Sequence, residues 1–166
     1  TTDQDEIPVI APYFGSIPCL PPLGFIPTSV LQGIRSDSRI DFHLLATASS
    51  AMPSIDEVYQ HCLYKIGRFM RKSVQLYIGI TQNPLNRFDL AHYRHTKDGY
   101  EHMHLLYVAP SEQESKQIEM MCIPRFVDKF PCCNRSLGGE TAVPASPHFV
   151  YVVTGSMMRS SCGRGR

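Results

Sequence analysis

Apolar positions along the chain change their period several times, and each change predicts an element. In "MPSIDEVYQHCLYKIGRFMRKS" (52–73) Ile55, Val58, Tyr59, Cys62, Leu63, Ile66, Phe69 and Met70 recur three and four apart. That spacing lays one apolar stripe along an amphipathic helix. Ser54 with Glu57 three residues later supplies its capping box. "RIDFHLLATAS" (39–49), "VQLYIGIT" (74–81), "HMHLLYVA" (102–109) and "PHFVYVVTG" (147–155) are short runs rich in β-branched and aromatic residues, and read as strands. "LNRFDLAHYRH" (85–95), after an Asn-Pro turn, reads as helical. "SEQESKQIEMMCIPRFVDKF" (111–130) opens on a second capping pattern, Ser111 to Glu114, and Pro124 is expected to end or kink that helix. Strands alternating with helices predict a small α/β (α+β) domain.

The flanks differ from this middle. Residues 1–38 contain Pro8, Pro12, Pro18, Pro21, Pro22 and Pro27, which remove backbone donors and bias their neighbours to extended geometry. Their Ile, Leu, Phe and Tyr content is too apolar for a solvated linker, so an extended arm packed on the domain is expected rather than a regular helix. Residues 39–155 form the domain. The tail 156–166 is Gly, Ser and Arg with little to bury, and disorder is expected.

With 166 residues the chain suits one domain. A formal net charge of +1 gives no overall attraction to a polyanion, so any nucleic-acid contact needs local clustering of Arg and Lys. "RFMRK" (68–72) is such a cluster, read first as a solvated helix face. No apolar run is long enough to span a membrane and no signal segment opens the chain, so a soluble, intracellular protein is expected. The first residues, "TTDQDE", lack a Met and read as a piece of something longer. The cysteines Cys19, Cys62, Cys122, Cys132, Cys133 and Cys162 read first as free buried thiols.

Candidate chemistry concentrates after the second strand. Gly79 permits close backbone approach beside Tyr77, and Arg87 offers a planar fork of donors suited to phosphate. Glu119 interrupts the apolar stripe "IEMMCI", where an uncompensated carboxylate is costly to bury. A cation is one way to compensate it.

The series Tyr77-Ile78-Gly79-Ile80-Thr81, Arg87, His92, Glu119 after "ESKQI", and "CNRSLGGE" with Asn134, Gly138 and Gly139 resembles the GIY-YIG nuclease domain. The resemblance covers about residues 74–139 and implies a mostly antiparallel central sheet flanked by helices. It implies a metal-dependent endonuclease, a hydrolase acting on nucleic acid, with DNA ahead of RNA as the substrate. Position by position, it implies that Tyr77 orients or deprotonates the attacking water. Arg87 would stabilise transition-state charge, and His92 would contact the phosphate or assist proton transfer. Glu119 would bind a single Mg²⁺ or Mn²⁺ ion, and Asn134 would hold the loop or a metal-bound water. Gly79, Thr81, His95 and Arg135 are expected to line the substrate, and Tyr93 and His95 compete with His92 for its role.

The family's first motif should supply another tyrosine as general base, upstream of Tyr77. Its spacing points to Tyr64, in the predicted helix. If the first strand is instead "DFHLLA", the helix is an insertion and His43, or no residue, stands in that place.

Two other classes compete with the nuclease. One is a repurposed domain of the same fold that binds nucleic acid or protein without cutting, with targeting supplied by a partner or further domain. The other is a small zinc metalloprotein using His102 and His104, on one face of a strand, with Cys122, Cys132 and Cys133.

Overall fold

Ser54 starts the longest helix as its sequence predicts. Its hydroxyl accepts the Glu57 N–H at 3.2 Å, and the Glu57 carboxylate accepts the Ser54 N–H at 2.8 Å. The computed structural model of the chain describes residues 26–45, 52–92, 94–135 and 148–157. Within them the elements run α1 (Thr28–Ser36), β1 (Ile40–Phe42), α2 (Ile55–Lys72), β2 (Gln75–Thr81), a π-helical turn (Asn86–Leu90), a 3₁₀ turn (His95–Asp98), β3 (His102–Ala109), α3 (Glu112–Phe126) and β4 (His148–Gly155).

The four strands form one mixed sheet in the order β1-β3-β4-β2. β4 runs antiparallel to both β2 and β3, whereas β1 joins the edge parallel to β3. The expected α+β fold, a mostly antiparallel sheet flanked by helices, is therefore present. Every residue of β4 is buried, which explains its unbroken apolar run: a central strand is covered on both faces.

Alternation along the strands feeds two cores. Tyr77, Met103, Leu105, Phe149, Tyr151 and Val153 face a cluster completed by Ile34 of α1 and Phe88 of the π turn. Leu76, Ile78, Leu106, Val150 and Val152 face the other, completed by Val58, Cys62 and Ile66 of α2 and Ile118, Cys122 and Ile123 of α3. The sheet separates them. No helix of the described residues is long and apolar enough to cross a membrane.

Several expectations need correction. Residues 28–36 of the Pro-rich arm form a helix, because the prolines stop at Pro27. Its carbonyl accepts the Leu31 N–H at 3.1 Å and begins the helical ladder. Residues 1–25 lie outside the described residues, as do 158–166 of the expected tail. Of the strand expected over 39–49, residues 40–42 form β1, which pairs with β3 alone among the described residues, and 46–49 lie outside those residues.

The helix expected over 85–95 is instead a π turn and a 3₁₀ turn. Asn83 Oδ1 accepts the Asn86 N–H at 3.2 Å and the Asn86 carbonyl accepts the Ala91 N–H at 2.7 Å, so the backbone closes a wide turn and then leaves it. α3 continues through Pro124 to Phe126. The proline removes a hydrogen bond to the carbonyl of Met120, an exposed residue in the C-terminal half of the helix, where water can replace it.

Candidate active site

Gly79 sits opposite Tyr151 in the β2–β4 register, and the Tyr151 ring folds over it. A Cβ built on Gly79 would lie 2.6 Å from the Tyr151 hydroxyl and 3.1 Å from Cε1 of Tyr77. The absent side chain is thus the space in which two tyrosines from adjacent strands converge.

Behind them stands His95, delivered by the 3₁₀ turn. Its Nε2 lies 2.7 Å from the Tyr151 hydroxyl, and its ring centroid is 5.2 Å from that of Tyr77. Burial, and then the nearby Arg87 charge, pulls the His95 pKa down to about 3. A neutral imidazole results at pH 7, with one ring nitrogen able to accept a proton.

Arg87, in the π turn, lies within hydrogen-bonding reach of the Tyr77 and Tyr151 hydroxyls. Burial pushes both phenols upward, an effect that Arg87 opposes and the Glu119 carboxylate reinforces. Both tyrosines are therefore neutral donors at pH 7. Glu119, buried on α3, is within electrostatic range of both. Two tyrosines, an arginine and a histidine thus converge from β2, the turns after it and β4, with the α3 carboxylate within electrostatic range of both phenols.

The turn that presents Arg87 is braced from outside. Arg39 donates to Asp37 at 2.7 Å and to Asp89 at 3.0 Å, and Thr96 donates to the other Asp89 oxygen at 3.0 Å. Asp89 thus ties the π turn to both β1 and the 3₁₀ turn. Hydrogen bonds from Arg39 to both, and from Thr96 to Asp89, hold the Asp37 and Asp89 carboxyls below their ordinary range.

Asn134 has a structural task. Its Oδ1 accepts the Ile78 N–H and its Nδ2 donates to the Ile78 carbonyl, each at 2.8 Å. Together with Leu76 N–H to Pro131 O at 3.0 Å and Cys133 N–H to Leu76 O at 2.7 Å, it closes the outer edge of β2. The expected loop-holding part of its role fits this placement. Those bonds use one amide oxygen and one N–H for β2.

Other candidates fall elsewhere. Tyr64 is 58% exposed on the solvent face of α2, where Arg68 donates to it at 3.3 Å. His43 follows β1, packed edge-on to Phe69 at 5.2 Å. Neither joins the Tyr77 constellation. His92 is exposed beyond the π turn, and His95 is the histidine that reaches the tyrosines. Tyr93 lies outside the described residues, as do Gly138 and Gly139.

Thr81 Oγ1 donates to the Asn83 carbonyl at 3.3 Å and accepts the Asn83 N–H at 3.2 Å, shaping the turn. Arg135 is exposed next to the Asn134 clamp. The mixed His/Cys zinc site does not assemble among the described residues: Cys122 sits in the α2–α3 core beside Cys62, on another part of the fold from His102.

Tyr151 is the residue that sequence reasoning missed. The strand "FVYVVTG" is legible in the sequence, but the pairing of Tyr151 with Gly79 is set by the β2–β4 register. The sheet brings a second tyrosine to Tyr77 from the last strand, downstream of it rather than upstream. No family model, curated protein or solved structure matches the chain.

Proposed function

We propose that the chain is a metal-dependent nuclease that hydrolyses nucleic-acid phosphodiester bonds, with DNA as the first substrate to test. The observation that carries this reading is the convergence of Tyr77, Tyr151, Arg87 and His95 over Gly79, with Glu119 in electrostatic range. Tyr151 takes the part that the resemblance assigns to a tyrosine upstream of Tyr77.

The proton path follows from the protonation states. A neutral phenol is a poor base, and burial raises both tyrosines further. Neutral His95 gives the Tyr151 proton an acceptor, a weak one because burial and Arg87 disfavour its charged form. As water attacks phosphorus, it passes a proton to the Tyr151 oxygen while the Tyr151 proton moves to His95 Nε2 across 2.7 Å. His95 passes that proton on to the leaving oxygen as its bond from phosphorus breaks, so the imidazolium that burial and Arg87 disfavour is only transient. Arg87 turns its donors toward the charge that gathers on the phosphoryl oxygens.

Glu119 is a hard oxygen donor, which fits one Mg²⁺ or Mn²⁺ ion held mostly by water and substrate phosphate. Such an ion supplies Lewis-acid polarisation of the phosphate when bound.

A second reading is favoured by burial. Tyr151 is 1% exposed and His95 4% exposed, so a phosphate reaches this pair only if what covers it moves. A repurposed domain that binds nucleic acid without cutting would leave the pair closed.

The two readings separate on supercoiled plasmid, branched DNA and single-stranded DNA and RNA, each incubated with the protein and Mg²⁺, Mn²⁺ or EDTA. Cation-dependent cutting supports the nuclease. Binding with every substrate left intact supports the module.

A further inference from the structure

We propose a second, separate metal site, for a borderline transition-metal ion such as Zn²⁺, formed by Asp41, His43 and His104 where β1 meets β3. One donor atom from each lies within 4.8 Å of the others. Among the described residues this is the only group of three or more potential His, Cys, Asp or Glu ligands so placed. It lies on the α2 side of the sheet, whereas Tyr77 and Tyr151 face the other core. The proposal does not depend on the nuclease reading.

The sheet register makes the site. Asp41 pairs directly with His104 across the parallel β1–β3 ladder, which sets their side chains on one face. Asp41 Oδ2 lies 4.0 Å from His104 Nδ1. His43, two residues beyond Asp41, returns to that face, with its ring centroid 5.2 Å from that of His104. The His43 backbone is held there by its N–H to Leu105 O at 2.8 Å and by His61 Nε2 against its carbonyl at 2.6 Å.

A packed histidine is the ordinary alternative, and the hydrogen bonding argues against it. His104 is 8% exposed, yet its Nδ1 is a buried atom with no hydrogen-bond partner among the described residues. Its Nε2 is engaged with Thr154 Oγ1 at 3.0 Å. When Nε2–H donates to Thr154, Nδ1 carries a lone pair aimed toward Asp41, the arrangement in which an outer partner orients a metal-binding imidazole. Phe69 stacks on His104 at 4.0 Å and walls the site from the helix side.

Ligand type selects the ion. Two imidazoles and one carboxylate suit Zn²⁺ and its neighbours rather than Mg²⁺, which prefers oxygen. Ligands on a tetrahedral zinc at about 2.1 Å stand roughly 3.4 Å apart. Asp41, with its side chain 52% exposed, has freedom to close the remaining gap. Its exposed side leaves the fourth position to water.

The test uses the full chain, free of any histidine tag and stripped with EDTA, titrated with Co²⁺ while visible absorption is followed. The expected result is a d–d band that saturates at one equivalent, is displaced by one equivalent of Zn²⁺ and survives excess Mg²⁺. Glu119→Gln should retain it. Asp41→Asn and His43→Gln should each weaken binding by about tenfold or more, the size of effect that losing even an outer partner can have. Far-UV circular dichroism verifies folding, and Asp41→Asn, altering an exposed side chain, decides the matter if His43→Gln fails to fold. No band in the wild type, or wild-type affinity in either folded variant, overturns the site.

Discussion

The Tyr151 hydroxyl and His95 Nε2 meet at 2.7 Å inside the fold, one from the central strand and the other from a four-residue 3₁₀ turn. Tyr151→Phe keeps the ring over Gly79 but leaves a buried ring nitrogen unsatisfied. Stability should fall by about 1–3 kcal/mol, read by urea denaturation. Removing the relay should slow cleavage by about 10²–10⁴-fold in initial rate. Unchanged cleavage in a folded variant would remove Tyr151 from the proton path.

His95 also makes a pH prediction. Its folded pKa is about 3, against an ordinary value of 6.5. Because the folded pKa is depressed, the unfolded chain takes up the proton first as pH falls. The contribution of neutral His95 is complete above about 6.5 and is lost as pH drops through about 3. One such group changes stability by at most about 1.4 kcal/mol per pH unit. Denaturation midpoints between pH 7 and pH 4 should therefore fall more steeply for the wild type than for His95→Gln. Parallel profiles would mean that His95 is already solvated and titrates normally.

Gly79→Ala tests the close approach. Its Cβ would sit 2.6 Å from the Tyr151 hydroxyl and 2.8 Å from Cζ, inside any tolerable contact. The ring must move or the β2–β4 ladder must part. Overpacking of this kind typically costs about 1–3 kcal/mol. The His95 bond should be lost with it, so the variant should show a lower thermal midpoint together with reduced cleavage.

Asn134→Ala should act on stability without changing the charge of the site. It deletes two 2.8 Å bonds that pin Ile78 at the edge of β2. A loss of about 1–3 kcal/mol is expected from that clamp. Amide hydrogen exchange should rise locally at Ile78. If exchange there is unaltered, the loop from Pro131 to Cys133 holds the edge alone.

Legibility in the sequence followed the reach of the interactions involved. α2 was readable because its capping box and apolar stripe are local, and β2, β3 and β4 because burial on one or both faces leaves a direct composition signal. α1 was masked by the prolines before it, although none lies within Thr28–Ser36. The turns after β2 read as helical from the Asn-Pro turn that precedes them, whereas Asn83 and Asn86 decide the backbone. Tyr151 and the Asp41–His104 pair depend on strand register across long sequence separations. Apolar periodicity carries no information about which strands become neighbours.

Cleavage of a single plasmid substrate in Mn²⁺ by wild type, Arg87→Ala and Glu119→Gln, compared at equal folded concentration, tests the central assignment. The wild type should cut, EDTA should stop it, and both variants should fall by about 10²-fold or more, the cost of losing a preorganised charge partner in the transition state. Wild-type rates in either variant, or an intact plasmid after incubation with the wild type, would contradict a phosphodiester-cleaving site at Tyr77, Arg87, His95, Glu119 and Tyr151.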